Sequence, residues 1–165
     1  MATTTHGSLT VTASGGADER RLVLAGRLDE SVGLLSSVAG WGAAVVVLET
    51  ERITAINSIG IREWMHFVAG LSAGGARIVH ERCAEAMIEQ MCFIPAVRGA
   101  GTVRSFHAPY RCPHCDLEVS ALIDVEVHGA SLRAMQPPAL PCERCERPMV
   151  LADVPERIFA FLNGS

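Results

Sequence analysis

The sequence predicts an α/β fold in which a mixed, mostly parallel sheet flanked by helices is followed by a small β-rich segment and a terminal helix. Residues 8–106 alternate between strand-like and helix-like patterns. From residue 107 onward, Pro, Cys and short alternating stretches replace the helical period. Because parallel neighbours require crossover connections, alternating strands and helices favour a mostly parallel sheet. We therefore predict two domains, residues 8–106 and residues 107–165.

The first domain is expected to begin with two strands, a helix and a central strand. Residues 8–13 (SLTVTA) alternate polar and apolar side chains, and residues 20–26 (RRLVLAG) form a short apolar run that ends at a glycine. Residues 29–40 (DESVGLLSSVAG) begin with acids and end with glycine, which is typical of a helix. The β-branched run at residues 43–50 (AAVVVLET) predicts a central strand covered on both faces.

A turn at residues 57–60 (NSIG) leads from that strand into an amphipathic helix. Apolar side chains recur there at helical spacing: Ile61, Trp64, Met65, Val68 and Leu71. We expect Trp64 to lie in the core. Residues 74–81 predict a turn and a strand, residues 83–93 a short helix, and residues 101–106 a last strand. The predicted order is β-β-α-β-α-β-α-β.

The second domain has a different pattern. Residues 117–129 (LEVSALIDVEVHG) predict one or two strands, and residues 131–141 (SLRAMQPPALP) predict a loop. Residues 154–162 (VPERIFAFL) predict a terminal amphipathic helix, with Pro155 in the first turn, where a missing N–H costs nothing.

Composition narrows the class of protein. No apolar run approaches the roughly 20 residues that span a bilayer, and the N-terminus lacks the basic and apolar segments of a signal peptide. We therefore expect a cytoplasmic protein with no membrane partner. The net charge of −4 argues against a nucleic-acid partner, since nucleic-acid binding requires a basic face. No phosphate-binding loop, nucleophile elbow or zinc-protease motif is present, so we expect a protein that is not an enzyme.

Four cysteines form the most specific motif. Cys112-Pro-His-Cys115 is followed, after 26 residues, by Cys142-Glu-Arg-Cys145. Two such turns supply a tetrahedral set of four thiolates. We expect zinc rather than iron as the metal in this kind of site. We predict a zinc ribbon with one structural zinc per chain, whose closed coordination sphere leaves no position for substrate. The alternative, a redox CxxC, usually lies in a thioredoxin-like βαβ unit, which the neighbouring sequence does not predict.

Other residues near the motif are not predicted to bind metal. His114 lies inside the first turn, but four thiolates already suffice. His107 and His128 lack ligand spacing, and Cys83 and Cys92 are expected to be small core or surface residues. Residues 107–165 carry five Arg against eight acids, which favours a structural or protein-contact role over binding to a phosphate backbone.

The turn at residues 57–60 has two interpretations. It follows the predicted central strand and begins a helix, where ligands commonly bind and where unpaired N–H groups favour a negative group. A phosphate on Ser58 would be stabilised there and would present about two negative charges to a docked partner. The alternative is that Asn57 and Ser58 are present only because both residue types cap helices well.

The order of elements around this turn resembles the STAS domain over about residues 8–106. The resemblance rests on AAVVVLETERITAINSIGIREWMHFVAGL followed by GGARIVHERCAEAMIEQM. The family includes bacterial anti-sigma-factor antagonists and stressosome components, and its turn typically reads D-S-S-G or D-S-T-G with the first hydroxyl phosphorylated. Carried over, that hydroxyl is Ser58. Asn57 replaces the acid, and Ile59 replaces the second hydroxyl residue.

The resemblance implies a regulatory module that binds a protein partner, such as a GHKL-type switch kinase or anti-sigma factor. The expected partner-binding residues are Asn57, Ser58, Ile59, Gly60 and Arg62. The alternative function is a scaffolding or assembly protein in which the turn has lost its switch and the zinc ribbon supplies a protein contact. A homo-oligomer is compatible with either function.

Overall fold

The computed structural model describes residues 1–33 and 38–164, which form a mixed α/β fold with two sheets. The first sheet has six described strands that lie side by side in chain order: β1 (Ala2–His6), β2 (Leu9–Gly15), β3 (Glu19–Leu28), β4 (Val45–Ile56), β5 (Arg77–Glu81) and β6 (Thr102–Val103). The β1–β2 and β2–β3 pairs are antiparallel, and the three pairs from β3 to β6 are parallel. The sheet is therefore mixed, with the parallel strands in its second half.

The second sheet is antiparallel and has the order β8-β7-β10-β9. Its strands are β7 (Ser105–Arg111), β8 (Glu118–Asp124), β9 (Leu140–Pro141) and β10 (Pro148–Leu151). The described helices are α1 (Val38–Trp41), α2 (Ser58–Ala73), α3 (Glu85–Phe93), α4 (Val125–Arg133) and α5 (Pro155–Phe159), with 3-10 turns at Pro95–Val97 and Ala160–Leu162. None of the helices in the described ranges is long and apolar enough to cross a membrane.

The apolar stripe of α2 packs into the core. Trp64 is fully buried and donates its Nε1–H to the carbonyl oxygen of Val97 at 2.9 Å, which confirms the predicted core position. Arg62 and His66 lie on the exposed side of the same helix. The amphipathic pattern therefore places the helix correctly, with its first turn at the end of the first sheet.

Strand β4 is buried on both faces, as its continuous apolar run predicts. Val46, Val47 and Leu48 are all fully buried, although consecutive side chains of a strand point to opposite faces. On the face that carries Val47, an ion-pair network lies across three strands. Arg21 in β3 pairs with Glu49 in β4 and with Glu81 in β5.

The two sheets share one apolar core. Phe106 in β7 contacts Phe159 and Phe161 edge to face, with ring centroids 6.1 Å and 5.2 Å apart. The buried cluster that contains these rings also contains residues of the first sheet and the cysteines Cys112 and Cys142. The predicted boundary between residues 106 and 107 lies inside β7, and the division into two domains stays a prediction.

Two predictions in the first half differ from the structure. Strand β1 was not expected, because the polar run ATTTH lacks an apolar face, but it pairs with β2 over its whole length. The helix predicted over residues 29–40 is wrong for residues 29–33, which form a turn because Asp29 accepts hydrogen bonds from the N–H and hydroxyl of Ser31. Residues 34–37 lie outside the described residues, and α1 covers only the end of the predicted range.

Two further predictions fail in the second half. The single strand expected at residues 101–106 is divided between β6 and β7, which belong to different sheets. The alternation in residues 117–129 predicts strand throughout, yet the strand ends at Asp124 and α4 begins at Val125. The reason is local, since Asp124 Oδ1 accepts hydrogen bonds from the N–H groups of Glu126 and Val127 at 2.8 Å and 3.1 Å and caps the helix. Residues 131–133, predicted as loop, are helical as a result.

Candidate functional site

The four cysteines of the two CxxC motifs meet at one end of the second sheet. The first motif joins β7 to β8, and the second joins β9 to β10. Cys112 Sγ lies 3.5 Å from Cys145 Sγ, and Cys115 Sγ lies 3.6 Å from Cys142 Sγ. All four sulfur atoms lie within 4.8 Å of one another, so the predicted ligands form one cluster that could hold a metal ion.

The two turns that carry these cysteines have matching geometry. The N–H of Asp116 donates to the carbonyl oxygen of Cys112 at 3.0 Å, and the N–H of Glu146 donates to that of Cys142 at 2.8 Å. Asp116 and Glu146 occupy the same position in their turns, and both have positive φ values of 56° and 62°. The N–H of Arg144 also points at Cys142 Sγ at 3.4 Å. Each turn therefore directs its cysteine sulfurs toward the opposite turn.

The thiols of the cluster differ in acidity. Burial opposes ionisation of Cys112, but hydrogen bonds from the backbone of His114 and Cys115 outweigh it and lower the pKa of the Cys112 thiol to about 6. For Cys145, a backbone hydrogen bond favours ionisation, yet burial and the neighbouring cysteines outweigh it and raise the pKa to about 11. Four thiolates at this spacing repel one another unless a cation balances their charge. The cluster is therefore chemically suited to a soft metal cation.

The remaining histidine and cysteines have other roles. His114 does not join the cluster, because its Nδ1 accepts a hydrogen bond from Arg147 at 3.1 Å. Cys83 is fully buried, and burial raises the pKa of its thiol to about 12, as expected for an inert core residue. Cys92 is partly buried, and burial raises the pKa of its thiol as well.

At the start of α2, Asn57 is the capping residue. Its Oδ1 accepts hydrogen bonds from the N–H groups of Ile59 at 3.1 Å and Gly60 at 2.9 Å. Ser58 is the first helical residue and is exposed, and within the described residues its hydroxyl makes no hydrogen bond. Asn57 alone therefore accounts for the cap, and the Ser58 hydroxyl is not needed for it.

A carboxylate from another element lies beside this turn. The Nδ2–H of Asn57 donates to Glu30 Oε2 at 2.7 Å. A backbone hydrogen bond, followed by this one from Asn57, lowers the pKa of the Glu30 carboxyl below its usual range. Glu30 thus places a negative charge next to the turn, although position 57 itself is uncharged. No local sequence signal indicated this contact, because the two residues are 27 positions apart.

Gly60 sets how closely α2 approaches β3. A Cβ at this position would lie 2.0 Å from the carbonyl oxygen of Leu28 and 2.6 Å from the nitrogen of Asp29. The N–H of Asn57 donates to the same Leu28 oxygen at 3.0 Å. Only glycine fits here, so the fourth residue of the turn is dictated by packing against backbone.

The exposed surface around Ser58 contains the other predicted partner-binding residues. Ile59, in the first turn of the helix, keeps 42% of its area exposed. Arg62 is exposed one turn later, whereas Gly60 is buried. The structure therefore brings Ser58, Ile59 and Arg62 together with Glu30 on one accessible surface, which we call the α2-start surface.

A polar cluster between the two sheets was not predicted from the sequence. Glu51 in the middle of β4 accepts a hydrogen bond from Arg82 at 2.8 Å and faces His107 Nε2 at 3.1 Å. His107 Nδ1 faces the carbonyl oxygen of Ser120 at 3.2 Å. The hydrogen bond from Arg82, followed by that from His107, lowers the pKa of Glu51 against the opposing effect of burial. This cluster links the sheets and contacts none of the four cysteines.

Comparison with known proteins leaves the family open. No protein-family model matches the chain, and no match is found among curated proteins. The resemblance to the STAS domain therefore stays a prediction.

Proposed function

We propose that this chain is a non-enzymatic regulatory module that binds a protein partner through the α2-start surface. One observation carries the proposal. Asn57 makes both capping hydrogen bonds, so the exposed Ser58 hydroxyl has no structural task that would explain it. The Ser58 hydroxyl is accessible at the start of a 16-residue helix and lies next to a partly exposed Ile59. Such a position is suited to a protein contact that phosphorylation of the serine controls.

A phosphate on Ser58 would experience two opposing electrostatic effects. The helix N-terminus attracts a negative group, typically by about 0.3–1 kcal/mol at an exposed site. Glu30, which is hydrogen-bonded to Asn57, repels it. Because the phosphate adds about two negative charges beside a carboxylate, phosphorylation would make the α2-start surface strongly acidic and would disfavour a partner that binds the uncharged form.

The STAS resemblance suggests which class of partner to test. We propose a GHKL-type switch kinase or anti-sigma factor as the partner here. The arrangement Asn57–Glu30 supports this assignment, because it places a carboxylate beside the serine where the family has an adjacent acid in the chain.

The test compares partner capture by four forms of the full chain. Tagged wild type, Ser58→Ala and Ser58→Glu are used as bait in native lysate, together with Ser131→Glu as a matched control on the exposed surface of α4. We expect Ser58→Glu to capture at least tenfold less partner than wild type, whereas Ser58→Ala and Ser131→Glu capture as much as wild type. Phosphosite mapping of the recovered wild-type chain then identifies Ser58.

Two results would contradict parts of the proposal. Equal capture by all four forms would remove the switch and would favour the scaffolding function. Failure of wild type to capture any protein would remove the docking function itself.

We further propose that the cysteine cluster holds one structural zinc ion. Zinc–sulfur bonds of about 2.3 Å in a tetrahedron place the sulfurs about 3.8 Å apart. The observed separations of 3.5 Å and 3.6 Å are close to that value. With four protein thiolates, zinc would have no open position, so its contribution would be to hold the β7–β8 and β9–β10 turns together.

Metal analysis of the purified chain tests this assignment. We expect one zinc per chain in wild type and in Cys92→Ser, whose sulfur lies outside the cluster, and a loss of metal in Cys142→Ser. The thermal midpoint of Cys142→Ser should fall together with the metal content, because binding and folding are coupled at such sites. Well below one zinc in wild type, or an equal amount of iron with visible absorption, would overturn the assignment.

A further inference from the structure

A basic cavity lies at the edge of the first sheet, where β5 and β6 face α4. It has a volume of about 390 Å³. Val79 and Thr102 belong to the strands that line it, and three arginines surround it: Arg77, Arg104 and Arg133. The cavity lies apart from the cysteine cluster and from the α2-start surface, since it shares no residue with either.

The charge of this cavity is opposite to that of the whole chain. Three guanidinium groups line it against one carboxylate, Glu126, whereas the chain carries a net charge of −4. Arg104 pairs with Glu81 at 2.8 Å, but the same carboxylate also binds Arg21. The positive charge of the cavity is therefore only partly balanced by the protein.

Two of the three arginines have no partner within the described residues. The guanidinium groups of Arg77 and Arg133 form neither a hydrogen bond nor an ion pair in that part of the chain. An arginine at the protein surface is free to turn into water, so exposure alone would say little about these two. In the structure, however, the end of the Arg133 side chain lies against its own helix.

Arg133 folds back along α4 over a buried glycine. A Cβ at Gly129 would lie 2.9 Å from Arg133 Nη1, closer than real Cβ contacts allow. Gly129 lies one turn earlier in the helix interior, where glycine costs about 1 kcal/mol relative to alanine. The missing side chain is what leaves room for the guanidinium at the cavity wall.

We propose that this cavity binds a small anion with two or more phosphate or carboxylate groups. Guanidinium groups bind both kinds of group through paired N–H donors, and two unpaired guanidiniums suit two such groups. The volume lies within the range of about 300–1,000 Å³ that is usual for small-molecule sites. The apolar side chain of Val79 and the backbone of β6 would exclude water from one side of the ligand.

Isothermal titration of the full chain with inorganic pyrophosphate and with citrate, at constant ionic strength, tests the proposal. We expect saturable binding of at least one anion to wild type. The Arg77→Gln/Arg133→Gln variant should bind at least tenfold more weakly. A matched variant, Arg52→Gln/Arg157→Gln, removes two exposed arginines that lie outside the cavity, and it should bind like wild type. Binding of pyrophosphate alone would assign phosphate chemistry, and binding of citrate alone would assign carboxylate chemistry.

Gly129→Ala provides a second variant whose stability and binding change in opposite directions. The new Cβ displaces the Arg133 guanidinium, while alanine favours the helix, so the unliganded chain should melt at the same or a higher temperature and bind at least threefold more weakly. Three results would each overturn the proposal: absence of binding to wild type, an equal loss in the two double variants, or wild-type affinity in Gly129→Ala.

Discussion

Replacing Gly60 by alanine tests the contact that positions the α2-start surface. In most helices this change stabilises the protein, because alanine is favoured over glycine by about 1 kcal/mol. Here the added methyl group would meet the backbone of β3 at 2.0 Å from Leu28 O. Backbone cannot rotate away as a side chain can, so the start of α2 has to move.

The size of the effect follows from this distance. Ordinary van der Waals contact begins at 3.4 Å, so α2 would have to shift by the difference, 1.4 Å. The hydrogen bond from the N–H of Asn57 to the same oxygen, now 3.0 Å, would be stretched beyond a useful length. Overpacking of this kind costs about 1–3 kcal/mol, and the lost hydrogen bond costs about 1 kcal/mol. After subtraction of the helix preference of alanine, we expect a net loss of about 2 kcal/mol.

Urea unfolding followed by circular dichroism measures this loss. The matched control is Gly42→Ala, because a Cβ at Gly42 meets nothing within 4 Å, and its free energy of unfolding should stay within about 0.5 kcal/mol of wild type. Wild-type stability in Gly60→Ala would show that the helix start does not press against β3, and the positions of Ser58 and Ile59 would then need another explanation.

Three further predictions concern the cap, a buried histidine and the turns of the cysteine cluster. Asn57→Ala should lower the free energy of unfolding in urea by about 1 kcal/mol, since two capping hydrogen bonds are lost, and an unchanged value would contradict the assigned cap. Burial lowers the pKa of His80 from 6.5 to about 4, so stability should be complete above pH 6.5 and should fall by about 3 kcal/mol as the pH approaches 4. Unfolding curves of His80→Leu should lose this pH dependence, and an unchanged slope would assign the acid sensitivity to other groups. Asp116 has a φ of +56°, a conformation that glycine adopts more easily than aspartate. Asp116→Gly should therefore stabilise the fold by up to about 1 kcal/mol and raise the thermal midpoint, and a lower midpoint would contradict the described turn.

The features that the sequence predicted correctly depend on short-range patterns. The helical period over Ile61, Trp64 and Val68 requires an apolar stripe facing the core, and all three side chains are buried. The CxxC spacing determines the geometry of each turn by itself, so only the meeting of the two turns depended on the tertiary fold. A continuous run of β-branched residues likewise marks β4 as a strand buried on both faces.

The features that the sequence did not predict depend on contacts between distant residues or on competition between neighbouring signals. Glu30 reaches Asn57 only because β3 and α2 lie side by side, and no pattern near either residue records it. The strand-like alternation after residue 117 continues past Asp124, but the cap formed by that side chain ends the strand and begins α4. Strand β1 has no apolar face of its own, and its partner β2 determines its structure.

The two cysteine turns enclose a 26-residue stretch of chain, and only a few residue pairs join β10 to its neighbours in the sheet. Strand β10 pairs with β7 through two residue pairs and with β9 through two more. In polymer terms, a metal bound by all four sulfurs would be a removable cross-link that closes this loop. Closing a loop of that length in a disordered chain costs about 3–4 kcal/mol of conformational entropy. Part of the free energy of metal binding would therefore hold β9 and β10 in place. Removal of the metal by a chelator would let the enclosed segment, which includes α4, regain this conformational entropy.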